Sequence, residues 1–214
     1  MWQIKSFTFS PLGENTYVLW NDNKDAVIID PGCYHSYEKE ELKSFITKSA
    51  LTPKYLLNTH CHLDHVFGEK FVAENWNLVP HIHTNEQQVM AMGEAAGERW
   101  GLPFENYKGP FVFLKEGEKI QLGTEELFII AAPGHSPGHV CFYVAAQNFI
   151  IGGDVLFRGS IGRTDLPGGN FDVLINSIKT QLLVLPDDTT VYSGHGPATT
   201  IGIEKKQNPY LQNR

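Results

Sequence analysis

At 214 residues with 42% hydrophobic side chains, the chain can bury a substantial core, and the simplest organisation is one domain spanning 1–214. Its formal charge of -7 argues against a broad surface for nucleic acid or anionic lipid and favours a small-molecule partner. No run reaches the roughly 18 to 20 apolar residues that cross a bilayer, and "MWQIKSFTFS" lacks a signal peptide's basic start and apolar core, so a soluble, cytoplasmic protein is expected, as monomer or dimer.

In chain order, "QIKSFTF", "TYVLW" and "AVIID" are β-type runs separated by the turn-rich "SPLGEN" and "NDNKD". "SYEKEELKSFITKSA" then predicts a helix capped by Ser36, with Leu42, Phe45 and Ile46 on its apolar face. A strand "KYLLNT", a helix over about 65–76, a strand "LVPHIH" and a helix over about 85–96 follow, and 97–110 reads as a long loop. The strands return as "FVFL", "KIQL", "LFIIAA", "VCFYVA" and "FIIGG". "FDVLINSIKTQLLVL" predicts a late helix with an apolar stripe through Phe171, Leu174, Ile175, Ile178 and Leu182, before a last strand "TTVYS" and a polar tail. Each half combines strands with helices without strict alternation, which fits two sheets covered by helices.

Metal-competent side chains gather where the β-type runs end: His60 after "KYLLNT", His139 after "LFIIAAPGHSPG", Asp154 after "NFIIGG" and His195 after "TTVYSG". His60 and His62, two apart, point the same way in an extended segment, while Asp64 and His65 open the next helix and can face the same cleft. Imidazole and carboxylate suit zinc, with iron or manganese as alternatives, and three protein ligands plus water make an open, catalytic arrangement. His35 reads as a polar loop residue, His81 and His83 lack an acidic companion, and His135 ranks below His139 as a loop residue. Cys33, Cys61 and Cys141 show no CxxC spacing and read as reduced thiols, with Cys61 turned away from the histidines beside it. Asp30 in "IIDPG" is either an orienting partner for a histidine or a turn former.

With "THCHLDH", "PGHSPGHV", "IGGD" and "SGHGP" in order across nearly the whole chain, the sequence resembles the metallo-β-lactamase fold hydrolases. It looks most like the hydroxyacylglutathione hydrolase (glyoxalase II) group and its small bacterial relatives, which share segments of the type "GDVLFRGSIGRTDLPGG" and "GHGPATTIG". The resemblance implies an α/β fold, the αββα four-layer sandwich. It also implies two metal ions, zinc first: one on His60, His62 and His139, the other on Asp64, His65 and His195, with Asp154 bridging. The reaction it implies is hydrolysis of S-lactoylglutathione or a related hydroxyacyl thioester, with Asp64 orienting a metal-bridging hydroxide.

A thioester suits such a centre, because a thiol of pKa near ~8.5 leaves as thiolate without a placed acid. Arg158 and Arg163 follow Asp154 closely enough to meet a glutathione carboxylate. Two features depart from the full-length glyoxalase II pattern. Gly196 and Pro197 stand where those enzymes carry an acidic residue and a tyrosine, and no C-terminal helical domain is expected. His60, His139 and Asp154 would also satisfy a mononuclear iron persulfide dioxygenase. A nucleic-acid-processing module is disfavoured by charge, and lactonase or β-lactamase specificity stays open.

Overall fold

A computed structural model describes residues 1–212. The chain divides into two compact units, one holding Met1–Leu114 and Gln121–Glu125, the other Lys115–Ile120 and the residues from Glu126 onward.

The first unit is built on a six-stranded sheet in chain order: β1 (Gln3–Phe9), β2 (Glu14–Trp20), β3 (Asp25–Ile29), β4 (Thr52–Leu57), β5 (Pro80–His83) and β6 (Val112–Leu114). β1 to β3 form the expected antiparallel meander, whereas β3 to β6 run parallel. Parallel neighbours need crossovers, and four helices supply them: α1 (Ser36–Lys48), α2 (Leu63–Val66), α3 (Glu69–Trp76) and α4 (Gln87–Trp100). Strand and helix therefore do alternate between β3 and β6, a regularity that the turn-rich opening conceals in the sequence. Leu42 and Ile46 of α1 and Val72 and Ala73 of α3 pack on Val18, Ile28 and Leu56 of the sheet.

Three local expectations change. The cap of α1 is His35, one residue early, because Glu38 reaches back to accept from the backbone N–H groups of Tyr34 and His35, both at 2.8 Å. The helix expected over about 65–76 is two helices. Gly68 donates its N–H to Pro31 O at 2.7 Å, and a Cβ there would lie 2.2 Å from Cys33 Sγ, so the chain breaks where it must pass close to the 31–33 loop. α4 extends to Trp100, and the loop after it folds back onto the helix, where Asn106 Nδ2 donates to Met90 O at 2.7 Å and Phe104 lies over Gly93 and Gly97.

The remaining elements are β7 (Lys119–Leu122), β8 (Glu125–Ala131), β9 (Val140–Val144), β10 (Phe149–Gly153), β11 (Leu156–Phe157), β12 (Ser160–Ile161), α5 (Phe171–Ser177), β13 (Thr190–Ser193), β14 (Thr199–Thr200) and α6 (Ile201–Gln207). β7 to β10, β13 and β14 make a six-stranded sheet in the order β14-β13-β10-β9-β8-β7, and β11 with β12 makes a separate hairpin. α5 continues as a wide π-helical segment, Ile178–Leu182. Leu174, Ile178 and Leu182 of the expected stripe pack against Ile150 and Val191, but Phe171, the first residue of the helix, is 49% exposed. α6 falls in what reads as a polar tail; Thr200 caps it, and Ile201 anchors it in the core.

The β8–β9 connection "APGHSPGH" is seated on α5. Gly134 has φ +130, its carbonyl accepts from Asn170 N–H at 2.7 Å, and a Cβ would lie 2.3 Å from Leu174 N. Gly134→Ala must move either this loop or the helix, and is expected to cost about 2–4 kcal/mol. Urea unfolding checks this: a lower midpoint at unchanged slope supports the close seating, and an unchanged midpoint contradicts it.

Candidate metal centre

In the first unit the parallel strands β3 and β4 bring their C-terminal ends together, Ile29 opposite Leu57, with Asp30 N–H donating to Leu57 O at 3.0 Å. Asp30 and the segment 58–62 therefore leave the sheet side by side, the position where parallel strands place functional groups. Asp30 has φ +50, a conformation a non-glycine residue holds only when its surroundings enforce it. Those surroundings are polar: Oδ1 accepts from Thr59 N–H at 2.7 Å, and Oδ2 accepts from Thr59 Oγ1 at 2.6 Å and lies 3.1 Å from His65 Nδ1.

These contacts set the tautomers. With its hydroxyl proton given to Asp30, Thr59 Oγ1 accepts from His60 Nδ1, 3.1 Å away. His65 likewise places its Nδ1 proton on Asp30. Both imidazoles then carry their basic lone pair on Nε2, the form in which a histidine binds a metal. The rings cluster, with His60 4.8 Å from His62 and 4.1 Å from His65 between centroids, and Asp64 Oδ2 is 4.0 Å from His65 Nε2. Asp30, His60 and His65 have candidate ligand atoms within 4.8 Å of one another, but the Asp30 oxygens hold Thr59 and His65 Nδ1, so Asp30 orients ligands instead of ligating. Of the two sequence readings for Asp30, the orienting partner is the one observed.

Cys61, between the two histidines, points into an apolar cluster with Val66, Ile82, Val89 and Met90, as alternation requires. Its backbone N–H donates to Glu86 Oε2 at 2.8 Å. Fully buried Glu14 stands 3.9 Å behind His65 Nδ1, and burial pushes its carboxyl well above the usual range against the opposing pull of His65. His81 donates Nδ1 to Val79 O at 2.9 Å, His83 accepts from Asn85 N–H at 3.3 Å, and His35 stacks on Tyr37. None of the three belongs to a metal-competent group among the described residues.

In the second unit Asp154 follows β10 and His195 follows β13, parallel neighbours. His195 Nε2 lies 3.6 Å from Asp154 Oδ2, and so does His135 Nε2, whose Nδ1 donates to Arg163 O at 2.7 Å. His139 Nε2, by contrast, accepts the backbone N–H of Asp154 at 3.1 Å. The expectation that ranked His139 above His135 is therefore corrected. His135 presents Nε2 to the Asp154 carboxylate with its tautomer set from behind, whereas His139 has spent that lone pair on holding the Asp154 backbone. Both sit in "PGHSPGH", and the hydrogen-bond partner of each ring separates them.

Arg163 is exposed and paired in a two-pronged contact with Asp165, both bonds 2.7 Å, which holds the Asp165 carboxyl down at about 2. Arg158 is exposed at the tip of the β11–β12 hairpin. Sequence reasoning passed over Thr59, Glu14 and Glu86, which carry no signal of their own; for Thr59 the one clue is its place next to a strand-end histidine.

If Asp30 sets the tautomer of His65, Asp30→Asn should weaken metal binding about 10- to 100-fold, read by competition with a chromophoric chelator. Unchanged affinity would remove that role. Glu69, buried behind this cluster, is pushed up to about 8 by desolvation, with Asp30 adding and the Asn58 hydrogen bond opposing. From the unfolded value near ~4.3 up to the folded value, the folded protein keeps a proton the unfolded chain has released. Stability from this group is thus full below the unfolded value and is lost as pH rises through the folded one. The stability of Glu69→Gln relative to wild type should rise by about 2–4 kcal/mol from pH 5 to pH 8, and parallel profiles would refute the shift.

Residues 10–195 match the family model for the metallo-beta-lactamase superfamily. The chain is 40% identical over 210 residues to the hydroxyacylglutathione hydrolase GloC of Haemophilus influenzae, covering 94% of each chain. Among solved structures, the BLEG-1 B3 metallo-beta-lactamase superposes with a TM-score of 0.90 at 37% identity, covering 99% of this chain and 100% of that one. TTHA1623 in a di-iron-bound form superposes at 0.88 and 38% identity, covering 97% and 100%. With histidines and aspartates at its strand ends and this likeness along nearly its full length, the chain belongs to the metallo-β-lactamase superfamily, as a divalent-metal hydrolase of that fold.

Proposed function

We propose that this protein is a thioesterase that cleaves S-lactoylglutathione or a related hydroxyacyl thioester to a hydroxy acid and a thiol. The observation that carries the reading is the 40% identity, over 94% of both chains, to a hydroxyacylglutathione hydrolase. The proposed metal donors are His60, His62, Asp64 and His65 from the first unit and His135, Asp154 and His195 from the second, with His135 replacing His139. Their chemistry fits a pair of divalent ions, zinc first: His60, His65 and His135 each have Nδ1 engaged from behind. When bound, the metal supplies a Lewis acid for the carbonyl and lowers the pKa of water from about 15.7 to about 7.

The chain's own residues do the rest. Asp64 accepts a hydrogen bond from the attacking water and so fixes its direction. Asp30 and Thr59 keep the histidine rings from turning. No side chain need protonate the leaving group, because a thiolate of pKa near ~8.5 departs unaided. No helix of the described residues is long and apolar enough to cross a membrane. The proposed setting is the cytoplasm, where the three buried cysteines stay reduced.

The likeness to BLEG-1 favours a second substrate class, since the same machinery can open a β-lactam ring. The deciding experiment is metal analysis of protein purified without added metal, with turnover of S-lactoylglutathione, a β-lactam panel, and oxygen uptake with glutathione persulfide. Thioester turnover that is abolished by chelation and restored by metal is expected, and His135→Ala should lower it by at least about 100-fold. β-Lactam turnover or oxygen uptake without thioester turnover would overturn the proposal.

A further inference from the structure

We infer that Phe104 is a positioning residue of the metal centre: it grips Phe67 and so fixes the direction in which the one-turn helix α2 presents Asp64 and His65. The inference rests on the assignment of those two side chains as metal donors in the reading above, and not on the substrate.

α2 is only four residues long, Leu63–Val66. A single turn has no stability of its own, because fixing its backbone angles costs more than its first hydrogen bond gives. What orients it must lie in the residues that flank its donors, and directly after His65 come two buried apolar side chains, Val66 and Phe67. Val66 belongs to the cluster of Cys61, Ile82, Val89 and Met90, and Phe104 packs against that cluster. The Phe67 ring is held by two others: Phe104 meets it at 4.9 Å between centroids and 89° between planes, and Tyr34 at 4.8 Å and 58°. Neither contact is a face-to-face sandwich, and such angled pairs are the arrangement the ring quadrupoles favour.

Phe104 can act as a wall only if the segment that carries it is itself fixed. Residues 101–111 form neither helix nor strand, yet they are tied down along their length. Leu102 N–H donates to Gly97 O at 2.8 Å, Asn106 N–H to Glu94 Oε1 at 3.0 Å and Asn106 Nδ2 to Met90 O at 2.7 Å, all on α4. Gly93 and Gly97, one turn apart, leave the hollow in α4 that Phe104 fills. A Cβ on Gly97 would lie 2.6 Å from Leu102 O and 2.9 Å from Phe104 Cδ1. Glycine is unfavourable inside a helix, and the close approach of this ring is what the two positions gain from it. Tyr34 closes the clamp, since its ring bears on Phe67 while its hydroxyl donates to Pro103 O at 3.2 Å, next to Phe104.

The test titrates metal-free protein with zinc against a chromophoric chelator, which needs no substrate. Wild type should take up two equivalents. Phe104→Ala should weaken one of the two steps about tenfold and leave the other unchanged, and Phe104→Leu should recover part of the loss. Gly97→Ala, which alters neither ring, and Tyr34→Phe, which removes only the hydroxyl, should weaken the same step by several-fold. Ile46→Ala opens a cavity on the α1 side of the same unit; it should lower the urea midpoint and leave both steps as in wild type. Mere core filling by Phe104 would give that second pattern. Circular dichroism shows which variants are folded, and if Phe104→Ala is not, Gly97→Ala and Tyr34→Phe carry the test. Wild-type affinity in the folded variants, an equal loss in Ile46→Ala, or a loss shared equally by both steps overturns the role of Phe104. A wild type that takes up fewer than two equivalents overturns the donor assignment beneath it. The step-specific loss without thioester turnover would sink the proposed reaction and still support the clamp.

Discussion

Everything that marks the first unit as a metal-binding scaffold passes through one carboxylate. Asp30 holds a backbone N–H, a hydroxyl and an imidazole proton on two oxygens while its own backbone sits at φ +50. Such a conformation costs on the order of 1–3 kcal/mol. It persists because the charge-assisted hydrogen bonds are made where water is excluded, and breaking any one would strand a buried polar group. The parallel pairing of β3 with β4 makes the arrangement geometrically available, since it delivers Asp30 and Thr59 to the same end of the sheet in register.

The second unit solves the same problem with backbone. Arg163 O fixes the His135 tautomer, and Asp154 N–H fixes that of His139. In both units the nitrogen that could meet a metal is chosen by the hydrogen bond made at the other one. The ring orientations are therefore set by short-range hydrogen bonds, to a carboxylate in the first unit and to backbone in the second.

The strands were legible because alternation and turn residues survive in one sequence, and so was the density of histidine and aspartate at strand ends. What escaped was what depends on close approach. The break at Gly68 needs Cys33 to be near, α6 needs Ile201 to find a core, and the ranking of His135 against His139 turns on Arg163 O and the Asp154 backbone. The two histidines are four residues apart in near-identical "PGH" contexts, so no local rule separates them; only the partner behind each ring does. The partner that claims Arg163 stands inside "GRTD" itself, two residues on at Asp165, and the sequence reading passed over it.

Buried glutamates recur throughout, and most serve one purpose. Glu38 accepts from Ser10, Tyr34 and His35, Glu86 from Cys61, and Glu204 from Gly159 and its neighbours. Each sits on or beside a helix and reaches a loop whose N–H groups no strand can satisfy. A buried loop cannot be held by apolar packing alone, because its backbone stays polar wherever it is buried. A carboxylate spends one charge to satisfy two or three donors at once, and being desolvated it does so with little competition from water. Glu14 and Glu69 have no such loop amides, and burial pushes both carboxyls up, Glu69 to about 8. For those two, burial is the largest cause of the shift, and few donors are aimed at them to offset it.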